Sequence, residues 1–478
     1  MWSEAISMVL MLTMFLFSPG MNGCVPKGVV QANELLSGLC TDGAQPGSIP
    51  VGVLLPLSGK FQTYGDAALK GIKLILDGTG DETKDGSGIS GKLTLIIRDT
   101  AGDPDQAARM VEELAVKEKV SAIIGPMFTQ EAKEAASRAQ ELAVPILTLS
   151  GAPDITQTGS YVFRNFLTRA AQAKRLVDYA VTKLGVKKFA TLYPDDHDGN
   201  AFLDAFRVEV ERHGAELALA EVYPPETTDF NVVIRKMVAR DKPGGKDYAA
   251  EHKKILAQYK NEPLLRKRAL EKLRKNAKPT VRFDALFVPD TYEKIAMIAP
   301  ALAFNDVAVR GSNPEQLQRM KKTLGRAEVD TVYLLGGEGF NHPKLLEWAA
   351  RYVEGAIFCD GFFVQSQRKA TQQFASLFRK QYQKDPDMLS AYGYDAALFL
   401  STVLEKTRPC SRDQLRDGLL KWTEFDGATG PAVFPEDRDA SKDLFLLTIL
   451  NGAIVELEKP AMVSLAKRAA TITPWRIP

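Results

Sequence analysis

The sequence predicts an α/β protein with two lobes and parallel sheets, and three observations support this prediction. Short apolar runs without polar alternation recur, as in Val51–Leu55 and Ser121–Gly125, which is typical of strands buried on both faces. Segments with helical spacing alternate with these runs, and this order predicts parallel sheets covered by helices. The chain also has 478 residues, which is too many for one ordinary domain.

The predicted elements form two series along the chain. The first contains strands at 51–55, 93–97, 121–125 and 144–149, with helices at 67–76, 104–118 and 129–142. The second contains helices at 170–184 and 200–213, with strands at 188–193, 216–222, 283–288, 331–335 and 356–359. Helices at 371–383 and 391–406 follow both series. We therefore expect the chain to return to the first lobe, so that a cleft lies between the two.

These patterns divide the chain into a leader, two interleaved lobes and a tail. The expected ranges are a signal peptide at 1–23, a linker at 24–49, lobe 1 at 50–165 plus 365–430, lobe 2 at 166–364 plus 431–460, a basic helical insertion within lobe 2 at 241–282, and a C-terminal tail at 461–478. The body is expected to be soluble, because no later apolar run approaches the length of a membrane-spanning helix.

The first residues indicate export from the cytoplasm. Residues Ala5 to Phe17 are almost all apolar, which fits the core of a secretory signal and is too short for a typical membrane span. The small residue Gly23 precedes Cys24, a pairing that resembles the bacterial lipoprotein cleavage site. Lipidation of Cys24, simple secretion and an uncleaved anchor are the alternatives. Each predicts a bacterial protein of the periplasm or cell envelope, and the first adds a membrane anchor.

Composition excludes some classes of protein and singles out one segment. The net charge is only +2, so a general nucleic-acid binder is not expected. Residues 241–282 nevertheless contain 13 Lys/Arg and 5 Asp/Glu, and their apolar stripe is interrupted at Pro263. This predicts two surface helices. They form either a solvated hairpin or a docking surface for an anionic partner such as membrane headgroups or a cell-wall polymer.

Enzyme chemistry is not indicated by any motif. Gly86–Lys92 has part of a phosphate-loop pattern, but it leads into a strand, whereas a phosphate cradle needs a helix N-terminus. The four histidines are scattered, without the spacing of metal ligands. We therefore expect no enzymatic activity, no cofactor and no metal. The pairing of Cys40, Cys359 and Cys410 stays open.

Several motifs in a fixed order resemble a known family. They are Gly52–Gly59, Tyr64-Gly65, Asp99, Asp103-Pro104, Ala107-Ala108, Ile124-Gly125, Pro153–Thr156, Asp195–Gly199, Gly336–Gly339, Glu354-Gly355, Tyr392–Ala396 and Gly427–Pro431. Together they resemble the type I periplasmic solute-binding proteins, specifically the Leu/Ile/Val-binding branch of ABC transporters. The resemblance implies two Rossmann-like lobes joined by three hinge crossings, here near Phe166, Val364 and Pro431. It also implies hinge closure on a small solute and its delivery to an ABC permease.

The resemblance also implies a binding site for an amino acid in the cleft. The carboxylate of such a ligand needs hydroxyls and helix-start amides, and its ammonium needs a carboxylate. The implied carboxylate-binding residues are Thr129 and Ser150, and the implied ammonium-binding residue is Glu338. The candidates at the cleft mouth are Tyr64 and Asp198, and Thr291 is a further candidate for ligand binding.

Other interpretations of these residues stay open. Thr129 and Ser150 are also residue types that commonly cap helices. Glu338 is equally typical of a solvent-exposed loop, and Tyr64 is equally typical of an aromatic residue that packs against its neighbours. Asp198 stands where the family has an aromatic lid, in the loop 195–199. This departure favours a more polar or basic ligand, or a vestigial site.

A second resemblance gives an alternative function. Pro289–Tyr292, Ile298–Phe304 and the helical insertion resemble the penicillin-binding-protein activator lipoproteins, whose C-terminal domain has the same fold. That resemblance implies a regulator of cell-wall synthesis, which would act through protein–protein contacts with a cell-wall synthase. Fold analogy by itself does not choose between the two functions.

Overall fold

The computed structural model describes residues 49–76, 93–239, 246–275, 280–311, 314–324, 329–421 and 425–457. The expected signal peptide, Cys24, the tail at 461–478 and the glycine-rich segment 86–92 lie outside the described residues, as does nearly all of the expected linker. Among the described helices, none combines the length and the apolar character needed to cross a membrane.

The first lobe is built on a five-stranded parallel sheet. Its strands are β1 Ile49–Leu55, β2 Leu93–Asp99, β3 Ile123–Ile124, β4 Ile146–Thr148 and β5 Val162–Arg164, in the spatial order β2-β1-β3-β4-β5. The helices between them are α1 Gln62–Leu76, α2 Pro104–Glu112 and α3 Thr129–Glu141. Shorter helical turns lie at Gly59–Phe61, Glu113–Lys117 and Ile155–Thr158. The central strands are buried on both faces, which explains their unbroken apolar sequences.

The second lobe is built on a larger mixed sheet. Its strands are β6 Lys188–Pro194, β7 Glu216–Tyr223, β8 Ala285–Val288, β9 Val307–Val309, β10 Asp330–Gly336, β11 Ile357–Asp360, β15 Phe445–Leu450 and β16 Ala453–Glu456. The spatial order is β16-β15-β11-β10-β8-β6-β7, and β9 pairs with β10. The last two strands are antiparallel to their neighbours, and the remaining pairs are parallel. The α/β class with parallel sheets is therefore confirmed.

The helices of the second lobe cover both faces of this sheet. They are α4 Arg169–Thr182, α5 His197–Arg212, α6 Asn231–Met237, α9 Tyr292–Phe304, α10 Pro314–Leu324 and α11 Pro343–Val353, with a short turn at Glu338–Phe340. Two further helices, α7 Lys246–Gln258 and α8 Pro263–Lys275, lie within the basic insertion. Pro263 begins α8, where its missing N–H costs no helical hydrogen bond.

Three late helices return to the first lobe. They are α12 Lys369–Tyr382, α13 Met388–Thr407 and α14 Arg412–Lys421. Helix α13 packs closely on α1 because both helices have a glycine at the contact. A Cβ atom at Gly71 would lie 1.9 Å from the Ser390 carbonyl oxygen, and one at Gly393 would lie 2.3 Å from the Ala68 carbonyl oxygen. Glycine is therefore required at both positions for the two backbones to approach.

Within the described residues, the chain passes between the two large sheets three times. The first crossing lies between Arg164 and Arg169, and the second leaves β11 after Asp360. The third enters β15 at Phe445, later than the Pro431 that the sequence suggested. Pro431 belongs instead to a small sheet of β12 Phe425–Gly427, β13 Gly430–Val433 and β14 Ser441–Lys442, which precedes the crossing.

A buried ion pair lies immediately before the third crossing. Lys442 Nζ is 3.7 Å from Asp395 Oδ2, and both side chains are at most 2% exposed. Asp395 also accepts hydrogen bonds from the N–H groups of Ala428 and Thr429, at 2.7 and 3.0 Å. Burial raises the pKa of Asp395 and lowers the pKa of Lys442 to about 8, and the pairing opposes both shifts.

The cysteines in the described residues differ in state. Cys410, which precedes α14, is disulfide-bonded. Cys359 is free and fully buried in β11. This burial is typical of a free cysteine within an apolar strand, where it behaves as a small apolar residue. Burial raises the pKa of the Cys359 thiol well above its usual value, which disfavours the reactive thiolate form.

We expect Asp395→Ala to lower the free energy of unfolding by about 3–5 kcal/mol, because it leaves the Lys442 charge buried without its partner. Urea unfolding followed by circular dichroism measures the change. Asp395→Ala combined with Lys442→Met should recover part of the loss. Arg138→Ala is the control: it breaks exposed ion pairs with Glu112 and Glu141 and should cost less than about 1 kcal/mol. If Asp395→Ala and Arg138→Ala lowered the free energy of unfolding equally, the stabilising role of the buried pair would be contradicted.

Candidate functional site

A cleft of about 460 Å³ lies between the lobes. Its walls are the loops that follow the carboxyl ends of strands β4, β6, β8 and β10, together with the starts of helices α3, α4 and α5. Ligands of open parallel sheets bind at this edge, because strand ends and helix N-termini converge there. Five of the six candidate residues line the cleft, namely Thr129, Ser150, Asp198, Thr291 and Glu338.

A larger hollow of about 920 Å³ lies elsewhere in the second lobe. Its lining is mostly apolar and includes Met297, Phe304 and Met320. Binding sites for small polar solutes need a few converging polar groups, and these converge in the interlobe cleft. We therefore take the cleft as the candidate site.

The wall contributed by the first lobe is uncharged. Thr129 is the first residue of α3, and the N–H groups of a first helical turn have no partner within the helix. The capping position is occupied by Phe128, whose own N–H donates to Glu131 Oε2 at 3.3 Å. Ser150 follows β4, is fully buried, and accepts a hydrogen bond from the Ala152 N–H at 3.2 Å. This wall offers hydroxyls and a positive helix end, which suit an anionic group.

Tyr64 lies behind this wall and does not line the cleft. Its ring meets that of Phe128 edge-on at 5.9 Å, and the Phe61 ring lies 4.2 Å from the Phe128 ring. Phe128 lines the cleft together with Phe166 and Phe202, whereas Tyr64 is 48% exposed and does not line it. The motif at Tyr64 therefore marks an aromatic cluster that supports the site through Phe128.

The wall contributed by the second lobe is acidic. Glu338 begins the short turn after β10, and its N–H donates to Gln172 Oε1 at 3.2 Å. The residue is exposed to the open cleft. Desolvation within the cleft raises the pKa of Glu338, and hydrogen bonds from its own N–H and from Gln172, together with the charge of Arg169, oppose the shift.

Asp198 lies in the first turn of α5, not in the loop that the sequence suggested. The helix starts earlier than expected because Asp196 caps it, accepting a hydrogen bond from the Gly199 N–H at 2.7 Å. The carboxylate of Asp198 forms an ion pair with Arg169 at the start of α4. Arg169 also lies 5.8 Å from the Phe202 ring. This pair joins the starts of two helices at the cleft rim.

Asp290 is a second carboxyl on the acidic wall and is partly buried. It accepts hydrogen bonds from the Tyr223 hydroxyl and from the Thr291 N–H, the latter at 2.6 Å. Burial raises the pKa of Asp290, and the bond from Tyr223 opposes this shift. Thr291 occupies the capping position of α9, but its side chain makes no capping hydrogen bond. Its hydroxyl instead hydrogen-bonds the Glu293 carboxylate in the first turn of α9.

The lining of the cleft has a net negative charge on one side. The charged residues of the lining are Asp196, Asp198, Asp290, Glu338 and Arg169. Four carboxylates against one guanidinium give 1 − 4 = −3 when all are ionised. Since all five belong to the second lobe, the cleft is complementary to a ligand with an anionic end and a cationic end.

The sequence did not identify several residues of this site. Gln172 and Arg169 carry no motif, because their roles depend on the first turns of helices that meet only in the folded chain. Asp196 lies within the motif Asp195–Gly199, but its role as the cap of α5 appears only in the structure. Asp290 directly follows a buried strand. Because the ends of parallel strands mark the ligand-binding edge of a sheet, this position could have identified Asp290 from the sequence. In the described ranges, no cluster of three or more potential ligands is placed to hold a metal ion.

Comparison with known proteins identifies the family. The model of the periplasmic binding protein family matches residues 48–243 and 306–453, so the chain belongs to this family. Membership implies a periplasmic or extracytoplasmic location. The match omits residues 244–305, which include both helices of the basic insertion.

Individual relatives agree with this assignment. A Leu/Ile/Val-binding protein homologue of Brucella melitensis is 26% identical over 192 residues, which are 40% of this chain and 51% of that protein. The chain thus spans about half the length of the curated relatives it matches. These matches confirm the resemblance to the Leu/Ile/Val-binding branch.

Solved structures show the same fold. A putative branched-chain amino acid ABC transporter protein from Rhodospirillum rubrum superimposes with a TM-score of 0.65 at 21% identity, covering 86% of this chain and 100% of that chain. A branched-chain amino acid transporter substrate-binding protein from Streptococcus pneumoniae, in complex with isoleucine, gives a TM-score of 0.56 at 21% identity, with the same coverage.

We expect Tyr223→Phe to lower the free energy of unfolding by about 1.5–3 kcal/mol at pH 8, because it removes a hydrogen bond to the buried Asp290 carboxylate. The loss should shrink as the pH falls and Asp290 becomes protonated, since the charge-assisted part of the bond is then absent. Urea unfolding at pH 8 and pH 4.5 measures both effects. Tyr352→Phe removes an exposed hydroxyl and is the matched control. A loss of stability that grows toward low pH would contradict a charge-assisted hydrogen bond from Tyr223 to Asp290.

Proposed function

We propose that this protein captures an amino acid or a related small solute in the interlobe cleft and delivers it to an ABC importer. The observation that carries the proposal is the asymmetry of the cleft. One wall offers hydroxyls and a helix N-terminus without charge, and the opposite wall offers carboxylates. A zwitterion matches these two walls in one orientation.

In the proposed complex, each wall binds one end of the ligand. The ligand carboxylate accepts hydrogen bonds from the hydroxyls of Thr129 and Ser150 and from the first N–H groups of α3. The ligand ammonium pairs with Glu338, which Gln172 holds in place. Phe128 and Phe202 border the space between the two ends.

Binding across two walls also accounts for lobe closure. A ligand that contacts both lobes binds the closed form more tightly than the open one and shifts the population toward it. The closed form would be the one that a membrane permease recognises. Isoleucine in the pneumococcal protein and the Leu/Ile/Val-binding relatives support an amino-acid ligand. The charges at Asp198, Asp290 and Glu338 favour a polar or basic member of that class.

The proposed location is the periplasmic side of a bacterial membrane. The apolar segment at residues 5–17 would direct export, and Cys24 would carry the lipid anchor. The disulfide at Cys410 agrees with this location, because disulfides persist in oxidising compartments.

A second candidate function is regulation of a cell-wall synthase through protein contacts. The insertion favours it, because helices α7 and α8 form a basic hairpin that the family model does not match. Leu264 in this hairpin is 77% exposed, and an exposed leucine among basic residues suits a partner surface.

Calorimetry with a panel of amino acids and small carboxylates separates the two functions. Saturable one-to-one binding at micromolar affinity or better supports solute capture. No heat with any panel member, on protein shown to be folded, would shift support to the partner-binding regulator. Reversing several basic residues of the hairpin should leave solute binding unchanged, because they lie outside the cleft lining.

We expect Glu338→Ala to weaken binding of the best panel member by 100-fold or more, since stranding a buried ammonium costs about 3–5 kcal/mol. The same calorimetric titration measures it. Glu347→Gln removes an exposed carboxylate of α11 outside the cleft and should leave the affinity unchanged. Unaltered affinity in Glu338→Ala would exclude the proposed ammonium site.

A further inference from the structure

The basic insertion forms a hairpin of two helices that the family model does not match. Helices α7 and α8 contact each other, and in the turn between them the Glu262 N–H donates to the Tyr259 carbonyl at 3.2 Å. The family match omits residues 244–305, and none of the described residues of the hairpin lines the cleft. The hairpin is therefore an addition to the family fold, and solute capture in the cleft does not explain it.

Each helix of the hairpin turns one face inward and leaves the other in solvent. In α7 and the turn, the described side chains that are buried or partly buried are Tyr248, His252, Ile255 and Tyr259. In α8 they are Arg266, Ala269, Leu270 and Leu273. Both sets repeat every three or four residues, which is the spacing of one helical face. The opposite face of each helix is therefore exposed.

The exposed side of the hairpin is basic. Its exposed basic side chains are Lys253, Lys254, Lys260, Lys267, Arg268 and Lys272. Its exposed acidic side chains are Glu251, Glu262 and Glu271. Six positive and three negative charges leave a net charge of +3 on this side. A surface with such an excess attracts an anionic partner.

Exposed leucines accompany these charges. Leu264 is 77% exposed, Leu265 is 44% exposed and Leu256 is 40% exposed, and all three lie near the turn in the chain. Lys267 and Arg268 follow Leu264 by three and four residues, so they share its face of α8. Helices that lie on a membrane surface have this combination. Their cations attract anionic headgroups, and their apolar side chains enter the boundary with the acyl chains.

The composition of the exposed side favours a bilayer over a protein or an anionic polymer. Protein–protein interfaces are enriched in aromatic residues, Met and Arg, and they are poor in Lys. Five of the six exposed basic side chains are Lys, and the exposed large apolar side chains described in the hairpin are leucines. An anionic polymer would match the charges but would offer the leucines no apolar medium. A bilayer with anionic headgroups matches both features.

We propose that the hairpin of α7 and α8 binds the surface of a membrane that contains anionic phospholipids. Its basic side lies on the headgroups, and Leu264 and Leu265 reach the boundary with the acyl chains. This inference does not rest on the proposed function, because it concerns residues outside the cleft lining. It assigns the hairpin to a membrane instead of a cell-wall synthase, and it adds a second membrane contact to the lipid anchor proposed at Cys24.

Co-sedimentation of the full chain with vesicles tests the proposal. The probes are vesicles of phosphatidylcholine alone and vesicles of phosphatidylcholine and phosphatidylglycerol in equal parts. The apolar segment at residues 5–17 has no charged side chain, so binding through that segment does not depend on the charge of the lipid. We expect binding to the anionic vesicles to be tighter by about tenfold or more. Most of this preference should vanish at about 0.5 M salt, because the charges are then screened.

Two sets of charge reversals separate the hairpin from the net charge of the protein. Lys267→Glu, Arg268→Glu and Lys272→Glu together reverse the exposed basic residues of α8 and should remove the preference for anionic vesicles. A matched control that should keep the preference reverses three exposed lysines of the first lobe, namely Lys369→Glu, Lys380→Glu and Lys384→Glu. Circular dichroism checks that both variants are folded.

Substitutions of Leu264 test the apolar contact directly. Leu264→Ser should weaken binding to anionic vesicles by about fivefold or more, since an apolar side chain no longer leaves water. The indole introduced by Leu264→Trp should shift its fluorescence to the blue when anionic vesicles are added, and brominated acyl chains should quench it. Val116→Trp places an indole at a 43% exposed position of the first lobe and should show neither effect.

Each outcome decides the proposal. A preference for anionic vesicles that disappears in the α8 reversal and weakens in Leu264→Ser supports the membrane contact. A preference that survives the reversal, or equal binding to both kinds of vesicle, overturns it. A preference that needs the charges but not Leu264, without a blue shift, overturns it in favour of an anionic polymer. No binding to either kind of vesicle also overturns it and leaves a protein as the partner of the hairpin.

Discussion

Tyr392 is the buried side chain against which the connections between the lobes pack. Its ring centroid lies 4.8 Å from that of Phe166 in the first crossing and 4.4 Å from Lys442 Nζ before the third. In the second crossing, a Cβ atom at Gly361 would lie 2.3 Å from the Tyr392 hydroxyl oxygen. The relative placement of the lobes therefore depends on α13, the helix that carries Tyr392. Helix α13 itself packs against α1, and this close contact depends on Gly71 and Gly393.

The hinge and the cleft share one electrostatic problem, which is the burial of several carboxyls close together. Asp395 is balanced by Lys442, whereas Asp290 is held by a tyrosine hydroxyl and a backbone N–H. Asp360 has only uncharged donors, the Asn341 amide and the Phe362 N–H, and burial raises its pKa to about 7. Because a buried carboxylate needs a counter-charge or hydrogen-bond donors, each of these groups depends on the partners that the fold places beside it.

The basic insertion is placed so that it does not obstruct the cleft. Helices α7 and α8 precede β8 in the chain, and the cleft residues Asp290 and Thr291 follow that strand. The insertion therefore joins β8 at the end opposite to the cleft, and none of its described residues lines the cleft. A contact function and a solute-binding function are thus compatible in one chain.

The sequence by itself determined the α/β class and the order of strands and helices, because a buried parallel strand needs an unbroken apolar run. The resemblance of its motifs to the Leu/Ile/Val-binding family pointed to five residues that line the cleft. Only the tertiary structure decided that Phe128 and not Tyr64 lines the cleft, that Pro431 precedes the third crossing, and that Arg169 pairs with Asp198 at the cleft rim. Those features depend on contacts between segments far apart in the chain, and such contacts leave no local pattern in the sequence.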